Sequence, residues 1–164
     1  MLSSRNWRIV VNDLAVKIKI QEADFDTNYE NNNLIVNNTG ALVNFVGTVR
    51  GNLESSEKIL SMTLEHYPGM TENEILNIVN KAIKKWKIEG VTVIHRVGRL
   101  LPGDKIVYVG VSSRHRQNAF DACNFIIDWL KTNAPFWKSE ELEGIKNWVQ
   151  ARDEDTLALK KWNF

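Results

Sequence analysis

The stretch from Ser112 to Pro135 constrains the fold more than any other part of the chain. Its apolar residues Ala119, Phe120, Cys123, Ile126, Ile127 and Leu130 recur at helical spacing, which predicts one long helix over about 114–133. Ser112 or Ser113 offers an N-cap. Pro135 disfavours helical geometry in the residue before it, so the helix stops near Asn133. A helix with one apolar stripe must lay it on another layer. A second helix is signalled in PGMTENEILNIVNKAIKKW, where Thr71 and Glu74 form a capping box ahead of Ile75, Ile78, Val79 and Ile83. This predicts a helix over about 72–87.

Strand character surrounds both helices. LAVKIKI (14–20) alternates apolar and polar with period two, and ALVNFVGTV (41–49) and KILSMTLEHY (58–67) are rich in β-branched, aromatic and apolar residues. VTVIHRVG (91–98) and KIVYVGVSS (105–113) flank a PGD turn (102–104) and read as a paired hairpin. A short strand around 145–150 and a frayed terminal helix complete the prediction. EADFDTNYENNN reads as a loop or a short capped turn, and GNLESSE (51–57) as a mobile surface loop. At 164 residues and 43% hydrophobic, the chain can bury one core, so a single domain over 1–164 is expected. The element order places it in the α+β class, with a mixed or antiparallel sheet and two main helices.

Composition excludes several functions. Twenty-one Lys and Arg against twenty Asp and Glu leave a net charge of +1, too little for a global field that would hold nucleic acid or an anionic membrane. Arg and Asp interrupt the apolar residues of the first twenty positions, and no run approaches the roughly 18 apolar residues of a membrane span. A soluble, cytoplasmic protein is expected. The single cysteine, Cys123, forms no intramolecular disulfide and offers no Cys-based zinc site, and His66, His95 and His115 are widely spaced. No metal and no cofactor are expected. Cys123 reads as core, and His95 as packed or at the surface, rather than catalytic.

The balanced total hides an asymmetry. Residues 91–116 hold five bases (Arg96, Arg99, Lys105, Arg114, Arg116) and one acid, whereas 139–155 hold six acids and two bases. Within the basic stretch, SSRHR (112–116) places His115 and Arg116 at a strand-to-helix junction, where unpaired N–H groups and guanidinium suit an anion. Equally, Ser113 could simply cap the helix while His115 and Arg116 lie in solvent. In KTNAPFWK, Lys131 and Lys138 bracket a proline and two aromatics, an arrangement able to stabilise developing negative charge beside a desolvated wall. Lys131 could also merely neutralise the last helical carbonyls. Arg50 ends a strand beside the 51–57 loop.

The strings GALVNFVGTVR, LEHYPGMTE, VTVIHRVGRLLPGD, VGVSSRHRQNAF, LKTNAPFWK and WVQAR, in this order, resemble the large (catalytic) subunit of molybdopterin synthase, most strongly over 40–152. The resemblance implies an α/β-hammerhead type fold and a sulfurtransferase of molybdenum cofactor biosynthesis. Such an enzyme converts cyclic pyranopterin monophosphate (precursor Z) to molybdopterin, taking two dithiolene sulfurs from the C-terminal Gly-Gly thiocarboxylate of a small ubiquitin-like subunit. It implies a homodimer of large subunits within a heterotetramer. By position, the family's pocket falls on Thr48, Val49, Arg50, His115, Arg116, Lys131, Lys138, Ser139 and Glu140, with Lys131, Lys138 and Arg50 catalytic and Arg152 a second-tier candidate. Thr48 and Val49 would act mainly through backbone.

His115 and Lys131 are sixteen positions apart on one predicted helix, or about 24 Å at about 1.5 Å per residue. One small pterin does not span that distance within a chain, so a pocket using both would be shared across a two-fold interface. The competing classes are a non-catalytic module holding a phosphorylated ligand and a nucleic-acid binder using the 91–116 patch.

Overall fold

The period-two alternation of 14–20 becomes a strand because one side of it meets a core: Val16, Ile18 and Ile20 are buried while their neighbours are partly exposed. A computed structural model describes residues 7–11, 14–53, 57–143, 145–149 and 153–162. The elements are β1 (Trp7–Val11), β2 (Leu14–Gln21), α1 (Thr27–Leu34), β3 (Ala41–Thr48), β4 (Ile59–His66), α2 (Met70–Lys85), β5 (Gly90–Arg96), β6 (Gly98–Leu100), β7 (Lys105–Ser113), α3 (Arg116–Thr132), β8 (Phe136–Leu142), β9 (Ile145–Val149) and α4 (Asp153–Lys160).

Two sheets result, in the α+β arrangement expected. The first has strand order β1-β2-β5-β7-β3, with β2 and β5 parallel and the other pairs antiparallel. The second, β6-β4-β8-β9, is antiparallel. α2 and α3 pack their apolar stripes on one face of the first sheet, where Ile75, Val79, Val93, Val109, Cys123 and Ile126 form the main core. On the other face Phe25 and Leu34 meet Ile94 and Tyr108. This double covering explains why six of the seven residues of β5 are buried. Among the described residues no helix is long and apolar enough to cross a membrane.

Several local expectations are corrected. The segment read as a loop or turn contains α1: Asp26 Oδ1 accepts from the Asn28 and Tyr29 N–H groups, and Glu30, buried, pairs with Lys17 at 2.7 Å. α2 starts at Met70, and its cap is Glu72, whose carboxylate accepts from Gly69 N–H at 2.7 Å, rather than the Thr71–Glu74 pair. Gly69 sits there with φ +86, a region costly for other residues. The predicted 91–98/105–113 hairpin does pair, but residues 98–100 leave it to form β6 on the edge of the second sheet. Phe120, assigned to the apolar face of α3, is 57% exposed.

The C-terminal segment, expected to fray, packs on α3. Trp162 Nε1 and Lys161 Nζ both reach Asp128 Oδ2, at 2.7 and 2.9 Å, and the Trp162 ring sits against Trp86 and Phe125. Of the 51–57 loop, residues 54–56 lie outside the described residues.

Candidate functional site

The cleft between the two sheets has a volume of about 670 Å3. One wall comes from β3 and β7 through Phe45, Thr48 and Val107, the other from β4 and β8 through Met62, Leu64 and Lys138, and the last turn of α3 adds Leu130 and Lys131. Arg50 also lines it. Three cations separated by 81 and 7 positions in sequence thus share one partly apolar cavity.

Each is delivered by a local device. β3 slips register between Gly47 and Thr48, so that Gly47 faces Val107 and Thr48 faces Lys105. Such a bulge re-aims the strand end, here carrying Thr48 and Arg50 to the cleft. A side chain at 47 would bring its Cβ to 2.8 Å from Val107 Cγ1, so Val107 would have to shift to admit one. Lys131 occupies the last turn of α3, whose axis ends at Thr132 with Asn133 as C-cap. Lys138 rides on β8, a strand absent from the sequence reading, sharing one face with Phe136 and Glu140 by alternation. The buried Glu140 carboxylate holds Lys138 Nζ at 2.7 Å and so orients the ammonium.

The other expected site residues lie elsewhere. Val49 does not line the cleft: its side chain is buried with Ile59 and Leu100, its N–H donates to Asp104 O, and its carbonyl accepts from Gly103 N–H. The expected backbone role is therefore taken up by the 102–104 turn. Ser139 points to the opposite face of β8 from Lys138 and is 1% exposed. Its hydroxyl has no hydrogen-bond partner among the described residues. Arg152 lies outside the described residues.

His115 and Arg116 form a second cluster, a surface hollow with Gly40, Arg114 and Gln117. His115 is itself the N-cap of α3 and makes no side-chain capping bond. The expected caps do other work: Ser112 is buried in β7, and the Ser113 hydroxyl donates to Lys87 O and accepts from His115 N–H. No acid stands in the first turn of α3, so the helix dipole and both arginines favour an anion there. Gly40 approaches so closely that a Cβ would lie 2.3 Å from Arg114 O.

The basic stretch is not one field. Arg96 donates to the Glu22 and Lys105 carbonyls, Lys105 pairs with Asp24 at 3.2 Å, and Arg99 stands 3.7 Å from Glu141. Three of its five bases are thereby engaged away from the α3 hollow. Of the acidic stretch, Glu140 serves Lys138 and Glu141 accepts from Ser61 Oγ at 2.7 Å.

Two titratable groups near the core are silent as charges. Burial pushes the Cys123 thiol up to about 12. Burial also pushes His95 down to about 4, against the Arg96 carbonyl hydrogen bond that favours the charged ring. His95, for which packed and surface positions were both open, is buried and also lines the cleft, stacked on Phe136 with ring centroids 3.9 Å apart. Sequence offered no signal for that contact, since the two residues come from different sheets.

Residues 20–133 match the MoaE protein family. The chain is similar to the molybdopterin synthase catalytic subunit of Salmonella typhimurium, 54% identical over 123 residues that cover 75% of this chain and 81% of that protein. It is 46% identical to the molybdopterin synthase catalytic subunit of Pseudomonas aeruginosa over 147 residues, covering 88% and 97%. Among solved structures, the molybdopterin biosynthesis MoaE protein from Burkholderia ambifaria superposes with a TM-score of 0.75 at 47% identity, covering 88% of this chain and 96% of that one.

Proposed function

This chain belongs to the MoaE family of molybdopterin synthase catalytic subunits, and we propose that its intersheet cleft is where precursor Z receives its two dithiolene sulfurs. The observation that carries the reading is the convergence of Lys131, Lys138 and Arg50 on one cavity. Sulfur arrives on a small ubiquitin-like subunit whose C-terminal Gly-Gly thiocarboxylate enters the cleft as an extended tail. The thiocarboxylate sulfur attacks a carbon of the pterin side chain, forming a C–S bond as the C–O bond on that carbon breaks; the oxygen leaves with the bonding pair and takes up a proton, and carrier and substrate are left joined through a thioester. Water then cleaves the acyl carbon–sulfur bond, which returns a carboxylate on the carrier and leaves the sulfur on the pterin. A second carrier repeats the transfer.

Lys131 acts as the main electrostatic or acid–base group, and Lys138 and Arg50 hold phosphate and oxyanion charge beside an apolar wall that strengthens each interaction. Glu140 acts through Lys138, and Thr48 borders Arg50. His115 and Arg116 bind the anionic substrate from the second protomer of a homodimer, within a heterotetramer working in the cytoplasm. No sulfur passes through this chain's own cysteine. Cys123 is 2% exposed and its thiol is protonated at neutral pH. Cys123→Ala is therefore expected to keep full sulfur transfer while losing about 1 kcal/mol of stability, and iodoacetamide should leave the native thiol unlabelled.

The direct test mixes the protein with a thiocarboxylated small subunit and precursor Z. Molybdopterin is the expected product; its absence with a folded protein and a fully thiocarboxylated carrier overturns the reading.

A further inference from the structure

Lys131 ends a helix and Lys138 lies on a strand, so their relative placement depends on the turn between them. Within that turn Phe136 N–H donates to Ala134 O at 2.8 Å across Pro135. Such a tight reversal fixes local shape but not its place in the molecule. The β4–β8 ladder, which pairs His66 with Phe136 and Leu64 with Lys138, supplies part of the place, and two further contacts from α2 and β5 supply the rest. Thr71, 0% exposed in the first turn of α2, donates its hydroxyl to Pro135 O at 3.2 Å and accepts from Tyr67 N–H at 3.0 Å. One hydroxyl thus ties the start of α2 to the centre of the turn. The His95 ring, from β5 in the first sheet, lies at 17° to the Phe136 ring from β8 in the second. Its Nδ1–H donates to Arg96 O at 2.8 Å, which holds the ring plane.

We propose that Thr71 and His95 are positioning residues that set the separation and aim of Lys131 and Lys138, Thr71 by pinning Pro135 and His95 by seating Phe136. The two anchors act on adjacent residues, one through a carbonyl and one through a ring. Together they tie the turn to α2 and to β5, beyond what the β4–β8 ladder holds. Neither touches the reacting atoms in this assignment. The inference rests on the cleft being the sulfur-transfer site. A displacement of catalytic groups by an ångström costs up to about a hundredfold in rate, so the effect of losing an anchor is expected in the chemical step rather than in carrier binding.

Four variants test it: Thr71→Ser keeps the hydroxyl, Thr71→Val removes it at constant shape, His95→Phe keeps the stacked plane without nitrogens, and His95→Ala removes the plane. Single-turnover sulfur transfer is expected to fall about ten- to a hundredfold in Thr71→Val and His95→Ala, with carrier Kd within about threefold of wild type. Thr71→Ser and His95→Phe should stay near wild type. Variants are compared at a temperature where near-UV circular dichroism shows each folded. A folded Thr71→Val with a wild-type rate overturns the role of Thr71, and His95→Phe falling as far as His95→Ala overturns that of His95. A second readout is independent of turnover: with 13C-methylated lysines, the Lys138 resonance should shift in Thr71→Val and not in Thr71→Ser. An unmoved resonance overturns the clamp even if the rate falls. A wild-type protein that makes no molybdopterin overturns the functional reading alone, because the resonance still reports on the turn.

Discussion

Mixed in equal amounts and allowed to exchange subunits, Lys131→Ala and His115→Ala chains should recover about one quarter of the wild-type sulfur transfer, although each variant alone is nearly inactive. Lys131→Ala alone is expected to lose about 10²–10³-fold in rate, the usual cost of removing one group that stabilises charge developing in a transition state. The rescue follows from geometry. His115 caps the first turn of α3 and Lys131 stands in the last turn of the same seventeen-residue helix, which separates them by about 24 Å. The cleft contains Lys131 and not His115, and the hollow contains His115 and not Lys131. If one substrate meets both, they come from different protomers. A mixed dimer then has one site lacking both groups and one site lacking neither. Random exchange makes half of the dimers mixed, and half of their sites are intact. No recovery would place the whole site within one chain; full activity of His115→Ala alone would remove the α3 hollow from the reaction.

The sequence disclosed what local spacing controls. Helical periodicity located α2 and α3 to within two or three residues, and period-two alternation located β2, because each pattern reports the face an element buries. The misses are segments whose stabilising partner is far away. FWKSEEL reads as polar and charged, yet it becomes β8 because β4, some seventy to eighty positions earlier, offers a ladder from Ile59↔Leu142 to His66↔Phe136. TNYENNNL is a poor helix former on propensity. It is helical because Asp26 caps it, Lys17 receives Glu30, and Leu34 enters the core.

The same division governs the site. Lys131 and Lys138 stood out because aromatics and a proline lie between them. That Arg50 joins them depends on a bulge at Gly47/Thr48, which sequence does not announce. Val49, which the resemblance places in the pocket through its backbone, instead gives its N–H and carbonyl to the 102–104 turn. Position in a motif identifies a residue, but only the pleat decides which face receives it. Ser139 and Glu140 are adjacent, and one points away from the cleft while the other grips the lysine inside it.

Acid should unfold this protein through His95 before it unfolds it through its carboxylates. Burial lowers the imidazole from its ordinary value near 6.5 to about 4 in the folded chain, and the proximity of His66 acts in the same direction. Between those values the unfolded chain binds a proton that the folded chain refuses, so stability falls as pH drops. The depressed value makes the contribution complete above about pH 6.5 and lost by about pH 4, a total of about 3 kcal/mol at about 1.4 kcal/mol per unit. Asp24, exposed, has its carboxyl held, against desolvation, below its usual value by the Phe25 N–H and by Lys105, and acts only below this window. Urea unfolding at pH 7, 6, 5 and 4.5 measures the slope. His95→Phe, which keeps the stacked plane and cannot titrate, is expected to flatten it, so that the variant loses ground to wild type at pH 7 and overtakes or matches it near pH 4.5. An unchanged slope in His95→Phe would mean that another group refuses the proton, and that the imidazole against Phe136 takes up its proton at the ordinary pH.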